Sequence, residues 1–242
     1  MACPTRGASR PLVLSRDDVL MIGRLIRSAR YRWGAFRGAR RLKRLARGAA
    51  PLRIVLGASG IFDSGWIPTD IGVLDILNER HWRRSFAENS IDAILAEHVW
   101  EHLTPQQGLC AARHCLRFLK PGGYLRVAVP DGFHPDPSYI EWVRVGGNGP
   151  GADDHKVLYT CDTFRGLFES AGFQVTLLEH FDNAGVFHAT DWDPAAGTIH
   201  RSRRFDDRNR DGRLNYTSII LDARKPLPKT GDEWVESSRP TT

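Results

Sequence analysis

The stretch IDAILAEHVWEHLTP, residues 91–105, changes character in its middle. Residues 91–96 are almost wholly apolar, which fits a strand buried on both faces. Thr104 and Pro105 then form a helix start, a capping hydroxyl followed by a proline in the first turn. His98, Glu101 and His102 fall between these two signals. Their spacing also spells H-x-x-E-H, the inverted zinc-protease pattern. On one continuous helix, two imidazoles four apart share a face and could grip a metal while the glutamate activates water. Here the apolar run places His98 at a strand-to-helix junction. Barely one helical turn is available before Thr104 starts a new helix. The strand-to-helix reading therefore decides the fold. The zinc-hydrolase reading stays as an alternative and no metal is assigned. The plainest account of both histidines is that each is simply hydrogen-bonded.

The same alternation continues on either side. "LRIVLGASG" (52–60) is an apolar strand running into a glycine-containing turn. "WIPTDIGVLDI" reads as two short extended pieces ending near Asp70 and Asp75, and "NERHWRRSFAENS" as a short helix or loop. Downstream, "TPQQGLCAARHCLRFLKPGG" is a helix stopped by Gly122–Gly123, and "YLRVAVPD" is a strand. "CDTFRGLFESAGF" is an amphipathic helix stopped by Gly172, followed by the strands "QVTLLEHF" and, after a long polar insertion (183–215), "YTSIILDAR". Strands alternating with helices predict an α/β fold, Rossmann-like, with a mostly parallel sheet of seven or slightly fewer strands and helices on both faces.

The net charge of +6 is unevenly placed. Residues 1–50 carry 13 Lys and Arg against Asp17 and Asp18, which puts them at +11 and the remainder at −5. Within that arm, Ile22, Leu25, Ile26, Ala29, Trp33, Phe36 and Leu42 recur at helical spacing from Asp17 to about Arg47. Ser15 or Asp17 could cap this helix. The chain thus divides into a basic amphipathic helical extension (1–50), a catalytic-sized domain (51–228) and a flexible tail (229–242). No stretch reaches the ~18 apolar residues of a membrane span, and no secretory signal is visible. The four cysteines form no C-x-x-C pair and read as reduced thiols of a cytoplasmic protein.

In its order of motifs, the chain resembles the class I S-adenosylmethionine-dependent methyltransferases, in particular the small-molecule group called methyltransferase type 11. The residues that carry the resemblance are the "LGASG" turn, Asp70 after the second strand, "VWEHL" after a later strand, and "FLKPGG" before "YLRVAVPD". It spans about Leu52–Pro226. It implies S-adenosylmethionine as the methyl donor. Gly57, Ala58 and Gly60 would approach its methionine part, Asp70 the ribose hydroxyls and Asp75 the adenine amino group. Glu97 and His98 would line the far wall. Glu101 and His102 would order the following loop. The family turn usually reads G-x-G-x-G, often with an acid two residues before the first glycine. Here Ser59 and Val55 occupy those two positions. The dinucleotide pattern G-x-G-x-x-G is absent.

The resemblance also places acceptor entry at Asp131, His134 and Tyr139, and the predicted cleft loops add Asp153, Asp154, His155, Tyr159, His188, Asp191 and Asp193. Their polar and aromatic content suits a small polar acceptor, a sugar or a lipid-linked saccharide. A hydroxyl acceptor calls for a base, and His155, His98 and His134 are the candidates, because imidazole titrates near neutral pH. His155 is preferred, since Asp153 and Asp154 precede it. Asp207, Asn209, Asp211 and Gly212 match the first half of a calcium loop, but Ser218 stands where its last ligand should be, so a tight polar hairpin is the better reading. The basic arm fits packing on the domain, with peripheral membrane contact next and nucleic acid last. The "AEHVW" stretch stands where a nucleobase methyltransferase carries [DN]-P-P-[YF], which argues against nucleobases. A methyltransferase fold that has become a silent scaffold is the main competing function.

Overall fold

The computed structural model describes residues 38–228. Seven strands form one sheet in the order β2-β1-β3-β4-β7-β5-β6. Their ranges are β1 Arg53–Leu56, β2 Ile67–Thr69, β3 Ile91–Glu97, β4 Leu119–Pro130, β5 Gln174–Phe181, β6 Phe187–Ala189 and β7 Ser218–Arg224. The strands β2, β1, β3 and β4 are parallel. Strand β7 runs antiparallel to both β4 and β5, and β6 antiparallel to β5. From β1 the chain moves to β2 on one side and later to β3 on the other. That reversal opens a crevice at the carboxyl ends of β1 and β3, where open α/β sheets bind ligands.

The helices are α1 (38–48), α2 Glu79–Ser85, α3 Pro105–Phe118, α4 Pro137–Val143 and α5 Cys161–Ala171. Side chains alternate across the sheet as strand geometry requires. Ile54, Leu56, Ile94, Leu125, Val127 and Leu221 point to one face. There they meet Leu42 of α1, Trp82 of α2, Phe118 of α3 and Phe164 and Phe168 of α5. Trp82 stacks on Phe118 with ring centres 5.4 Å apart. Val55, Ala93, Leu95, Ala128 and Ile220 point to the other face, under Trp66 and Ile199. The α/β seven-stranded architecture is as expected, and its second face is covered by the polar insertion rather than by an α-helix. Gly197 explains how a loop can do this: a Cβ there would stand 3.1 Å from Leu95 and 3.2 Å from Trp66. Glycine lets the backbone lie directly on the sheet.

Several boundaries differ from the sequence reading. The extended piece ending at Asp75 is not a strand. Residues 71–78 make turns, with the Val73 and Leu74 N–H groups donating to the Asp70 carbonyl. Helix α3 ends at Phe118, and the "LKPGG" segment already belongs to β4. At its start the capping signal is complete, since Thr104 and Gln107 bond each other's backbone N–H. The "DDRNRDG" segment is a short 3-10 turn and bends rather than a hairpin. Most of the basic arm, including Trp33 and Phe36, lies outside the described residues, as does the tail 229–242. No described helix is long and apolar enough to cross a membrane.

Candidate active site

A cavity of about 730 Å³ opens at the carboxyl ends of β1 and β3. Gly57 begins its floor, with φ at +60°. A Cβ at Gly57 would lie 2.7 Å from Val99 Cγ2, so a side chain there would crowd Val99 and fill the cradle. Ser59, which replaces the middle glycine of the family turn, nevertheless adopts φ +45°. Its N–H donates to Asp70 Oδ1 at 3.1 Å. The turn therefore keeps its left-handed form despite the serine, held from outside by the exposed Asp70. This cradle is what a methyl donor's amino-acid part needs, and the residues present fit S-adenosylmethionine.

The opposite wall comes from the end of β3. His98 sits at φ +55°, a conformation that costs energy for a residue with a side chain. Its N–H donates to the Ala128 carbonyl at 2.9 Å, which holds it in place. His98 Nε2 lies 3.0 Å from Ser218 Oγ, and that hydroxyl donates to the Arg201 carbonyl at 2.8 Å. With its proton so committed, Ser218 can only accept from His98. Nε2 must then carry the hydrogen, leaving Nδ1 with its lone pair. Burial, and after it the Arg201 cation, hold the His98 imidazole well below its ordinary range. Glu97 also lines the cavity, but its carboxylate is taken up by the N–H groups of His200 (3.1 Å) and Arg201 (2.7 Å). It clamps the insertion to β3.

Between the two walls sits an acid–imidazole group. The Glu101 side chain is 1% exposed, and neither of its carboxylate oxygens has a hydrogen-bond partner among the described residues. His98 Nδ1 comes within 3.2 Å of Oε1. The approach is close, but it does not make a directed hydrogen bond. Burial pushes the Glu101 carboxyl up to about 8, against the pull of Arg201. The His102 and His155 rings meet edge to face, 4.9 Å apart. His155 Nδ1 lies 2.7 Å from the Val143 carbonyl, which can only accept, so Nε2 bears the lone pair. Burial, ahead of any charge, lowers His155 as well.

The insertion forms the roof. Arg208 lies 3.3 Å over the Tyr216 ring and is gripped by Asp206 at 2.8 and 2.6 Å. Burial raises the Tyr216 phenol to about 12. Asn209 bonds the Tyr216 backbone in both directions, and Asp211 caps Arg213. The calcium-loop residues are thus engaged in holding the roof.

Gly57, Ala58, Glu97, His98 and His155 line one cavity. Gly60, Asp70 and Asp75 do not line it. Asp75 accepts from the Leu77 N–H and borders a separate shallow groove with Asn78 and Arg83. His134 does not line the cavity either: it is stacked on Tyr139 at 3.9 Å, accepts the Asp136 N–H and bonds the Leu214 carbonyl. The H-x-x-E-H motif does not lie on one helix, since His98 is in the bend just past β3 and only Glu101 and His102 lie in the 3-10 turn Trp100–His102. Arg201, Arg208 and Tyr216 were missed, because nothing local in a polar insertion marks which residues fold back over a sheet end.

The family model described as a methyltransferase domain matches residues 57–178. No curated protein matches the chain. Among solved structures, an S-adenosylmethionine-dependent methyltransferase from Archaeoglobus fulgidus is 16% identical, with a TM-score of 0.43 over 81% of this chain and 94% of that one. A Thermotoga maritima methyltransferase, titled as a possible histamine N-methyltransferase, is 13% identical, with a TM-score of 0.43 over 81% and 90%. With the model spanning half of the sequence, from the glycine turn into β5, the chain belongs to the methyltransferase-domain family and is an S-adenosylmethionine-dependent methyltransferase.

Proposed function

We propose that the chain transfers the methyl group to a hydroxyl of a small polar acceptor of saccharide type. The observation that supports this is the wall facing Gly57. It carries three imidazoles and a buried carboxylate, with the Nδ1 lone pair of His98 facing Glu101 and the Nε2 of His155 bearing a lone pair. Such a wall suits an acceptor that brings hydroxyl donors and must lose a proton. Ile61, Phe62 and Trp142, exposed at the rim, would accommodate an apolar aglycone or lipid attached to that acceptor.

When bound, S-adenosylmethionine supplies an electrophilic methyl on a sulfonium, which departs as the neutral thioether as the acceptor oxygen attacks. The chain's part is to orient and to take the proton. Gly57 and Ala58 set the donor's position. His98, which lines the same cavity as Gly57, would receive the hydroxyl proton at Nδ1, while Ser218 and the Arg201 carbonyl fix its ring. Tyr216, stacked on His98 at 6.2 Å, closes the wall against water. Orientation and exclusion of water supply most of the acceleration in such a reaction.

Labelled S-adenosylmethionine should be offered with a panel of monosaccharides, sugar nucleotides, amines and thiols. Label should appear on a hydroxylated sugar. His98→Ala should lower kcat on the order of 10²-fold, with the donor's Kd little changed. Transfer to amines alone, or full turnover by His98→Ala, would contradict this reading.

A further inference from the structure

We propose that Glu101, His102 and His155 form a binding site for one divalent transition-metal cation at the acceptor end of the cavity. These three residues are the one group of that kind among the described residues, and one ligand atom from each lies within 4.8 Å of the others. Zinc holds nitrogen and oxygen ligands at about 2.0–2.2 Å, so modest side-chain rotations would close them on an ion.

Three observations point to a ligand here rather than to packing. First, both Glu101 oxygens are sequestered from water with no hydrogen bond, and so is His102 Nδ1. Buried polar atoms are almost always satisfied, and those that are not mark an ion or water site. Second, His155 donates its Nδ1 hydrogen to the Val143 carbonyl at 2.7 Å. That backing fixes the tautomer in metal-binding histidines and aims the bare Nε2 at the ion. Third, the main chain clamps the site. The Glu101 carbonyl accepts the N–H groups of Lys156 (2.7 Å) and Val157 (3.3 Å), joining the two segments that carry the three side chains.

Two imidazoles and one carboxylate suit the manganese-to-zinc series and leave coordination positions open. All three residues line the same cavity as Gly57. An acceptor hydroxyl entering an open position would become more acidic, as water does on zinc. Glu101 would then be a ligand, where the H-x-x-E-H pattern makes it a base, and His155 takes the place that pattern gives to His98. The role in acceptor activation rests on the methyl-transfer reading above; the site itself does not.

Full-length protein stripped with chelator should be dialysed against zinc chloride and its metal content measured. One equivalent is expected. Glu101→Gln and His155→Ala should each weaken binding at least tenfold, while His188→Ala, on exposed β6, should bind as the wild type does. The absence of a one-equivalent site, or a site indifferent to both cavity substitutions, would overturn the proposal. If either variant fails to melt cooperatively, cobalt(II) added to the wild type decides, through visible bands of nitrogen and oxygen ligation or their absence. Titrating the same stripped protein with S-adenosylmethionine separates the two readings: donor binding without metal binding sinks only the metal site, and the reverse sinks only methyl transfer.

Discussion

Asp131, the residue after β4, is fully buried. Its carboxylate accepts the N–H groups of Phe133 (2.9 Å) and Phe181 (2.7 Å), tying the post-β4 loop to the end of β5. Burial pushes its carboxyl up to about 6, although both hydrogen bonds pull the other way. The unfolded carboxyl ionises near its usual 3.8. Between about pH 4 and 6 the unfolded chain therefore loses a proton that the folded one keeps. Asp131 costs stability as pH rises through that window, and the cost is relieved below it. At roughly 1.4 kcal/mol per unit, the effect is on the order of 3 kcal/mol. Asp131→Asn removes it, so thermal melts should show the variant gaining on the wild type from pH 4 to pH 7. A constant difference would contradict the assignment. The sequence reading put Asp131 among the acceptor loops. A lone acid after a strand looks the same whether it meets a substrate or holds its own backbone, and only the distant Phe181 N–H separates the two.

Among the elements, α3 and the glycine turn were readable because their signals are local. Thr104, Pro105 and Gln107 sit within four residues, and the structure completes the box. Thr104→Ala should lower stability by about 1 kcal/mol, visible as a lower Tm with the cavity intact. The insertion carries no such signal. Its attachment to β3 depends on Glu97 and residues 200–201, more than a hundred positions away in sequence. Glu97→Gln trades one accepting oxygen for a donor, so one of the two N–H groups loses its partner. Amide hydrogen exchange at residues 200 and 201 should rise while exchange in β3 and β4 stays slow. Unchanged protection there would mean that the roof is held by other contacts.

At the scale of the molecule, the order of strands and helices was legible because each strand's apolar run and each helix's spacing are written in consecutive residues. Which loop covers which face was not. The second face depends on Arg126 of β4, 3% exposed, which bonds Asp222 of β7 at 2.8 and 3.0 Å and the carbonyls of Asp193 and Gly197 at 2.9 Å each. In the sequence this arginine is simply a charge within an apolar strand. Arg126→Met would leave Asp222 half-buried without its partner and release two loop carbonyls. It should cost about 3 kcal/mol in denaturant unfolding, whereas a loss under 1 kcal/mol would show that the loop holds itself. His155 likewise reaches Glu101 across more than fifty residues, through a cavity that exists only when β3, α4 and the roof have come together.

The account turns on the crevice between β1 and β3 as the donor site. Calorimetric titration of the full-length protein with S-adenosylmethionine, beside Gly57→Val, tests it most directly. One equivalent with a micromolar Kd is predicted for the wild type. Gly57→Val should weaken binding at least tenfold while still melting cooperatively, since its side chain would fill the cradle against Val99. No binding by the wild type, or equal binding by both proteins, would contradict the account.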